Sequence, residues 1–199
     1  MAVQKVRTRL SPLLRKNQLL DTAKQMIMEE GLQRFTMEAL ARAARVTSPL
    51  VYKYFASRER LLQVLLEREY AAFSEKLTKQ LSETKDFAEV LRVFIVTNFD
   101  HHAPGNILPA LLNEPDIAIV VEKDIKKGRR KSAFYLVENA AGSYELTKPQ
   151  AELLVSMTSG VSIAAASYCN KSKIDRNHCI ETALLYALAG LEKTSQMQK

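Results

Sequence analysis

Apolar side chains recur at spacings of three and four along almost the whole 199-residue chain, and runs that alternate at every second residue are nearly absent. A period near 3.6 places such positions on one helix face, so the pattern predicts an all-helical protein of about nine helices. Ser11 and Pro12 read as an N-cap followed by a first-turn proline that needs no amide donor, and Gly31 suits the position that closes the same helix. Between them Leu19, Ala23, Met26 and Ile27 form one apolar stripe. Thr36 caps a short second helix, with Glu38 near its positive end and Met37, Leu40, Ala41 and Ala44 facing inward. Thr47 and Ser48 offer the next cap, and Pro49 opens a third short helix over 49–54 with Val51 and Phe55 as its apolar residues.

A longer helix is expected over 58–81, where Leu62, Leu66, Tyr70, Phe73, Leu77 and Leu81 keep a single stripe. Further helices are predicted over 86–100, 106–113, 116–141, 148–169 and 175–193. The breaks between them fall at His102-Ala-Pro-Gly, at Glu114-Pro115 and over 142–148.

Charge adds a direction to this plan. Residues 1–60 hold 12 Lys or Arg against 5 Asp or Glu, which accounts for the whole net charge of +7, while residues 61–199 hold 17 of each sign. A cationic segment of this kind suits a polyanion, because each phosphate it neutralises releases condensed counterions. No apolar run approaches the roughly 18 residues that span a bilayer, so no membrane contact is expected. The start, MAVQKVRTRLSP, lacks the apolar stretch of a signal peptide, and a cytoplasmic protein is the expectation. Cys169 and Cys179 lack the spacing of a zinc motif and read as reduced small hydrophobes.

The most specific stretch is 36–55, TMEALARAARVTSPLVYKYF. Two short capped helices joined by a tight turn around 45–47 can place the second of them in a DNA major groove. Ala41 and Ala44 let the helices cross closely, and Val46 fills the angle between them. Here the sequence closely resembles the tetracycline-repressor (TetR) family of transcriptional regulators. The matching residues are Leu19 to Gly31, Thr36, Leu40-Ala41, Ala44-Arg45-Val46 and Val51-Tyr52-Lys53-Tyr54-Phe55, then Ser57-Arg58-Glu59 and Leu61-Leu62. Detailed resemblance runs over about residues 13–66, and beyond them the helices fit the family by count and length. Arg45 stands where the family usually has glycine, which is tolerable if the residue keeps a negative φ.

The resemblance implies a basic arm at 1–12, a helix-turn-helix domain at 13–73 and a helical inducer-binding and dimerisation domain at 74–199. It implies a regulator of duplex DNA, with a repressor released from a palindromic operator by a small molecule as the expected form. By carry-over Thr36, Tyr52, Tyr54 and Arg58 hold phosphates, while Thr47, Ser48, Pro49, Leu50 and Lys53 face base edges and Arg45 adds a cation beside the groove. Lys5, Arg7 and Arg9 are candidates for an adjacent minor groove.

In the second domain Phe94, Thr97, Asn98, His101, Met157 and Thr158 are the candidate effector contacts. Gly160, Ala164, Ala183 and Ala187, small residues on the last two helices, are the candidate homodimer interface. His101-His102 and the Asp175-x-x-His178 spacing make no complete metal set, and no metal or cofactor is expected. The run Lys126-Lys127-Gly-Arg129-Arg130-Lys131 reads as a solvated helix face. An all-helical enzyme or small-molecule binder without DNA affinity is the competing class, but phosphate loops, nucleophile elbows and paired Glu-x-x-His motifs are missing, so no catalysis is expected.

Overall fold

The computed structural model describes residues 10–84, 86–104, 106–172 and 174–197, and among them every regular element is helical. Helix α1 spans Pro12–Glu30, α2 Met37–Ala43, α3 Ser48–Tyr54, α4 Arg58–Ser82 and α5 Phe87–His102. Then come α6 Ile107–Leu112, α7 Pro115–Ala118, α8 Glu122–Tyr144, α9 Lys148–Lys171 and α10 Arg176–Gln196. Lys5, Arg7 and Arg9, the candidate minor-groove cations, lie outside the described residues.

Local chemistry explains the starts and stops. Ser11 Oγ accepts from the Leu14 amide at 3.3 Å, Thr36 Oγ1 from Ala39 at 3.1 Å and Ser57 Oγ from Arg60 at 3.0 Å, each satisfying an amide that the first helical turn leaves unpaired. Gly31 closes α1 with φ +85° and a 3.0 Å bond to the Ile27 carbonyl.

Two segments depart from the expected boundaries. The helix predicted over 116–141 is broken, with α7 ending at Ala118 and α8 beginning at Glu122. The β-branched run Ile117, Ile119, Val120, Val121 weakens the helix there, and burial of Ile117 and Val121 against the first core rewards the break. At its other end α8 runs through Gly142 and stops only at Glu145, which takes φ +53° and leaves its amide and that of Leu146 both bonded to the Ala141 carbonyl.

Two hydrophobic cores result. The first joins Leu19, Leu40, Val51, Phe55 and the α4 residues Leu61, Leu62, Leu65 and Leu66, and it does not stop near residue 73: Ile107, Leu108, Leu111, Ile117 and Val121 of the α6–α7 segment are part of it. The second packs α5, α8, α9 and α10 through residues such as Leu91, Ile95, Ala140, Ala166, Ile180 and Leu184. Helix α4, 25 residues and so about 37 Å long, carries the chain from one to the other. Ion pairs fix its angle to α1: Lys24 meets Glu69 at 2.6 Å, and Arg68 meets both Asp21 at 2.8 Å and Glu69 at 2.9 Å.

Candidate nucleic-acid interface

The turn between α2 and α3 sets the geometry of the motif. The Val46 amide reaches back to the Ala41 carbonyl at 2.9 Å and the Arg45 amide to the Arg42 carbonyl at 3.1 Å, the bonding pattern of a Schellman turn. That pattern requires a left-handed residue between them, and Arg45 supplies it with φ +55°. The expectation of a negative φ at Arg45 is therefore overturned: the hydrogen-bonded turn dictates the sign, and arginine tolerates it at a modest steric penalty. Val46 tucks against the first core beside buried Ala41 and Ala44, so α3 crosses α2 closely.

Helix α3 is held by one face and leaves the other open. Val51 is buried, and Phe55 just beyond the helix end is buried with it, whereas Thr47, Pro49, Tyr52 and Lys53 are exposed and Ser48, Leu50 and Tyr54 are half-buried. Thr47 occupies the N-cap without a capping bond from its side chain; its carbonyl instead receives the amides of Leu50 and Val51. Tyr54 packs on the core, which fixes its ring while one edge stays at the surface. The Tyr52 hydroxyl donates to Glu38 Oε1 at 3.3 Å, linking α3 to the first turn of α2 beside Thr36. Partial desolvation, with the neighbouring Glu38 carboxylate, pushes the Tyr52 phenol above its ordinary value, so it remains a neutral donor at physiological pH. Glu38 was legible only as a first-turn acid; its bond to Tyr52 depends on the crossing of the two helices.

Arg58 sits differently from the other cations. Its Nε donates to the Phe35 carbonyl at 3.0 Å and its Nη2 to the Leu32 carbonyl at 2.9 Å, with the guanidinium 6.0 Å from the Phe35 ring centroid. It braces the 3-10 turn Leu32–Arg34 that leads into α2. The side chains of Lys16, Arg34, Arg42, Arg45 and Lys53, by contrast, make no hydrogen bond or ion pair among the described residues, which leaves their charge available to a polyanion.

The predicted effector residues do not converge on one space. Phe94 and His101 are half-buried on α5, His101 stacking edge-on to His102 at 5.5 Å. Thr97 donates to the Val93 carbonyl at 2.7 Å and the buried Thr158 to the Leu154 carbonyl at 2.8 Å, both within their own helices. Asn98 crosses the α5–α9 seam, donating to the fully buried Ser162 hydroxyl at 2.6 Å. Met157 is half exposed on the opposite side of α9, away from this seam, because the helix buries the neighbouring Thr158 and Ser162 instead. A cleft of about 340 Å³ lies elsewhere, lined by Met28, Phe73, Ile107 and Leu108 with Lys24 and Lys76 beside them.

The four candidate interface residues divide in the same way. Gly160 and Ala164 are exposed on the outer side of α9. Ala183 and Ala187 are buried in the second core of their own subunit, which corrects their expected partner-facing placement. The stripe they share with Ile180, Leu184 and Leu191 is the one that α10 turns inward against α5 and α9.

A capped helix pair with an exposed, cation-flanked second helix on an all-helical body defines a helix-turn-helix DNA-binding protein. Residues 19–65 match the family model described as bacterial regulatory proteins, tetR family. The HTH-type transcriptional activator FasR of Mycolicibacterium smegmatis is 25% identical over 185 residues, covering 89% of this chain and 83% of that protein. The HTH-type transcriptional regulator LuxR of Vibrio harveyi is 36% identical over 75 residues, covering 38% of this chain and 37% of its own length. Among solved structures, a TetR-like transcriptional regulator from Rhodococcus sp. RHA1 superposes with a TM-score of 0.64 at 22% identity, over 92% of this chain and 98% of that one. FadR of Bacillus subtilis, solved in complex with stearoyl-CoA, superposes with a TM-score of 0.64 at 20% identity, over 87% and 98% of the two chains. Residues 19–65 thus carry the DNA-binding region of a TetR-type transcriptional regulator, and the solved structures extend the same all-helical fold over the rest of the chain.

Proposed function

We propose that the protein acts as a homodimeric repressor on a palindromic duplex operator and is released by an amphipathic small molecule. The observation that carries the DNA reading is the α2–α3 pair, whose open face sits among cations with no internal partner. In this reading α3 enters the major groove with Thr47, Ser48, Pro49, Leu50 and Lys53 toward base edges. Thr36, Tyr52 and Tyr54 hold phosphates on either side, Arg45 adds charge at the turn, and Arg58 acts by bracing the motif.

Dimerisation is supported by an apolar surface on α9 and α10. Leu153, Met157, Ile163 and Tyr168 lie outward on α9, with Leu185 at 67% and Tyr186 at 62% exposure on α10. Gly160 and Ala164 lie in the same α9 stripe, where small side chains admit a partner backbone. An isologous four-helix contact through these faces covers the patch and sets two α3 helices for successive half-sites. The effector reading is supported by the structural neighbour solved with stearoyl-CoA, which points to an acyl chain with a polar head. Among the described residues no helix is long and apolar enough to cross a membrane, and we place the protein in the cytoplasm with its DNA.

Selection of bound fragments from random duplex DNA tests the proposal, followed by measurement of the complex mass. Two chains on an inverted repeat are expected; recovery of unrelated sequences, or of one chain per site, contradicts it.

A further inference from the structure

Cysteine usage in this chain is confined to Cys169 and Cys179, and both thiols are free. Cys169 lies two residues before the end of α9 and Cys179 three residues after the start of α10, and these consecutive helices pack against each other as an antiparallel hairpin. Positions so nearly equidistant from the connection sit at one level of the hairpin. Their side chains share one environment: Cys179 is buried in the second core and Cys169 packs against the same core, its thiol 3.9 Å from the Ile174 carbonyl in the connection. Among the described residues no third His, Cys, Asp or Glu joins them, so the pair lacks the ligand set of a zinc site. In a reducing compartment such a pair is chemically useful as a dithiol that oxidation closes and reduction reopens.

We propose that Cys169 and Cys179 form a redox couple, in which a hydroperoxide converts the two thiols into an intramolecular disulfide that ties the end of α9 to the start of α10. Cys169 is half-buried whereas Cys179 is only 7% exposed, so the oxidant meets Cys169 first. Burial, together with the adjacent Cys169, holds the Cys179 thiol above its ordinary value, so it rests as the protonated thiol. In that step the Cys169 sulfur attacks the peroxide: an S–O bond forms, the O–O bond breaks and the alcohol leaves with the thiol proton. The Cys179 sulfur then attacks Cys169; the S–S bond forms, the S–O bond breaks, and hydroxide departs with the Cys179 proton as water. Two thiols and one hydroperoxide yield one disulfide, one alcohol and one water, a two-electron exchange.

The bond closes the end of the hairpin whose outer side carries Tyr168 and the exposed α9 stripe, so oxidation fixes the helices that present that surface. The test uses the full-length reduced protein and one equivalent of cumene hydroperoxide. Intact mass is expected to fall by about 2 Da with no cross-linking between chains, thiols alkylatable after denaturation to drop from two to none, and dithiothreitol to restore both. Circular dichroism should remain unchanged, placing the bond within the native fold. In Cys179→Ala a dimedone-reactive sulfenic acid should accumulate at Cys169, and in Cys169→Ser, altered at the more exposed position, Cys179 should stay reduced at the same dose. Oxygen addition at Cys169 while Cys179 stays alkylatable in the native-sequence protein overturns the proposal, as do disulfides between chains or an unchanged mass.

Discussion

Arg58 Nε donates to the Phe35 carbonyl at 3.0 Å, so the first residue of α4 holds the segment that launches α2. With Nη2 on the Leu32 carbonyl the guanidinium bridges two acceptors that a single ammonium cannot span in the same way. Arg58→Ala is expected to destabilise the N-terminal core by about 1–2 kcal/mol, and Arg58→Lys to recover only part of it. Urea unfolding measures this. Unchanged stability with lost operator affinity would show instead that Arg58 works on the DNA.

Arg45 supplies the left-handed residue of the α2–α3 turn at φ +55°. Glycine relieves the Cβ strain at such a position, though it also loosens the unfolded chain, so Arg45→Gly should raise stability by a net of about 0.5 kcal/mol. If the side chain also neutralises a phosphate, the same variant lowers the salt slope of operator binding by about one. A lower unfolding midpoint would mean that the arginine side chain makes a stabilising contact in the folded protein.

Lys53 is exposed on α3 and without an internal partner among the described residues. Lys53→Ala should therefore leave the melting temperature in place while weakening operator binding by about 1–3 kcal/mol if it reads a base. A loss that is uniform across operator and random duplex assigns it to phosphate.

The two small-residue sets on α9 and α10 separate under one substitution. Ala164→Arg, on the outer side of α9, is expected to give a folded monomer with collapsed operator affinity, because half-sites are no longer held together. Ala187→Arg forces a charge into the subunit's own core and should unfold the protein, at a penalty of about 3–5 kcal/mol. Light scattering decides the first: an Ala164→Arg protein that stays dimeric moves the interface elsewhere.

Helix periodicity and capping chemistry made most of the architecture readable from the residues alone. Ser11-Pro12, Thr36 and Gly31 act locally, and each does what its side chain or backbone freedom allows. Spacing tells which residues share a face, but not whether that face meets the subunit's own core or a second copy. Ala183 and Ala187 went inward for that reason, and Met157 outward. The break at 119–121 was hidden because β-branched residues weaken a helix without forbidding it, and only the first core's demand for Ile117 and Val121 decides the outcome. The sign of φ at Arg45 and the carbonyl contacts of Arg58 arise from tertiary hydrogen bonds that no residue type announces.

Fluorescence anisotropy of a selected, labelled operator titrated with protein across salt concentrations tests the DNA-binding claim most directly. Cations that neutralise phosphates give log-affinity falling linearly with log-salt, while direct reading by α3 gives an operator preference of roughly a thousandfold or more over random duplex. Both a steep negative slope and that preference are the predicted result. A flat salt response with equal affinity for operator and random DNA would contradict the account.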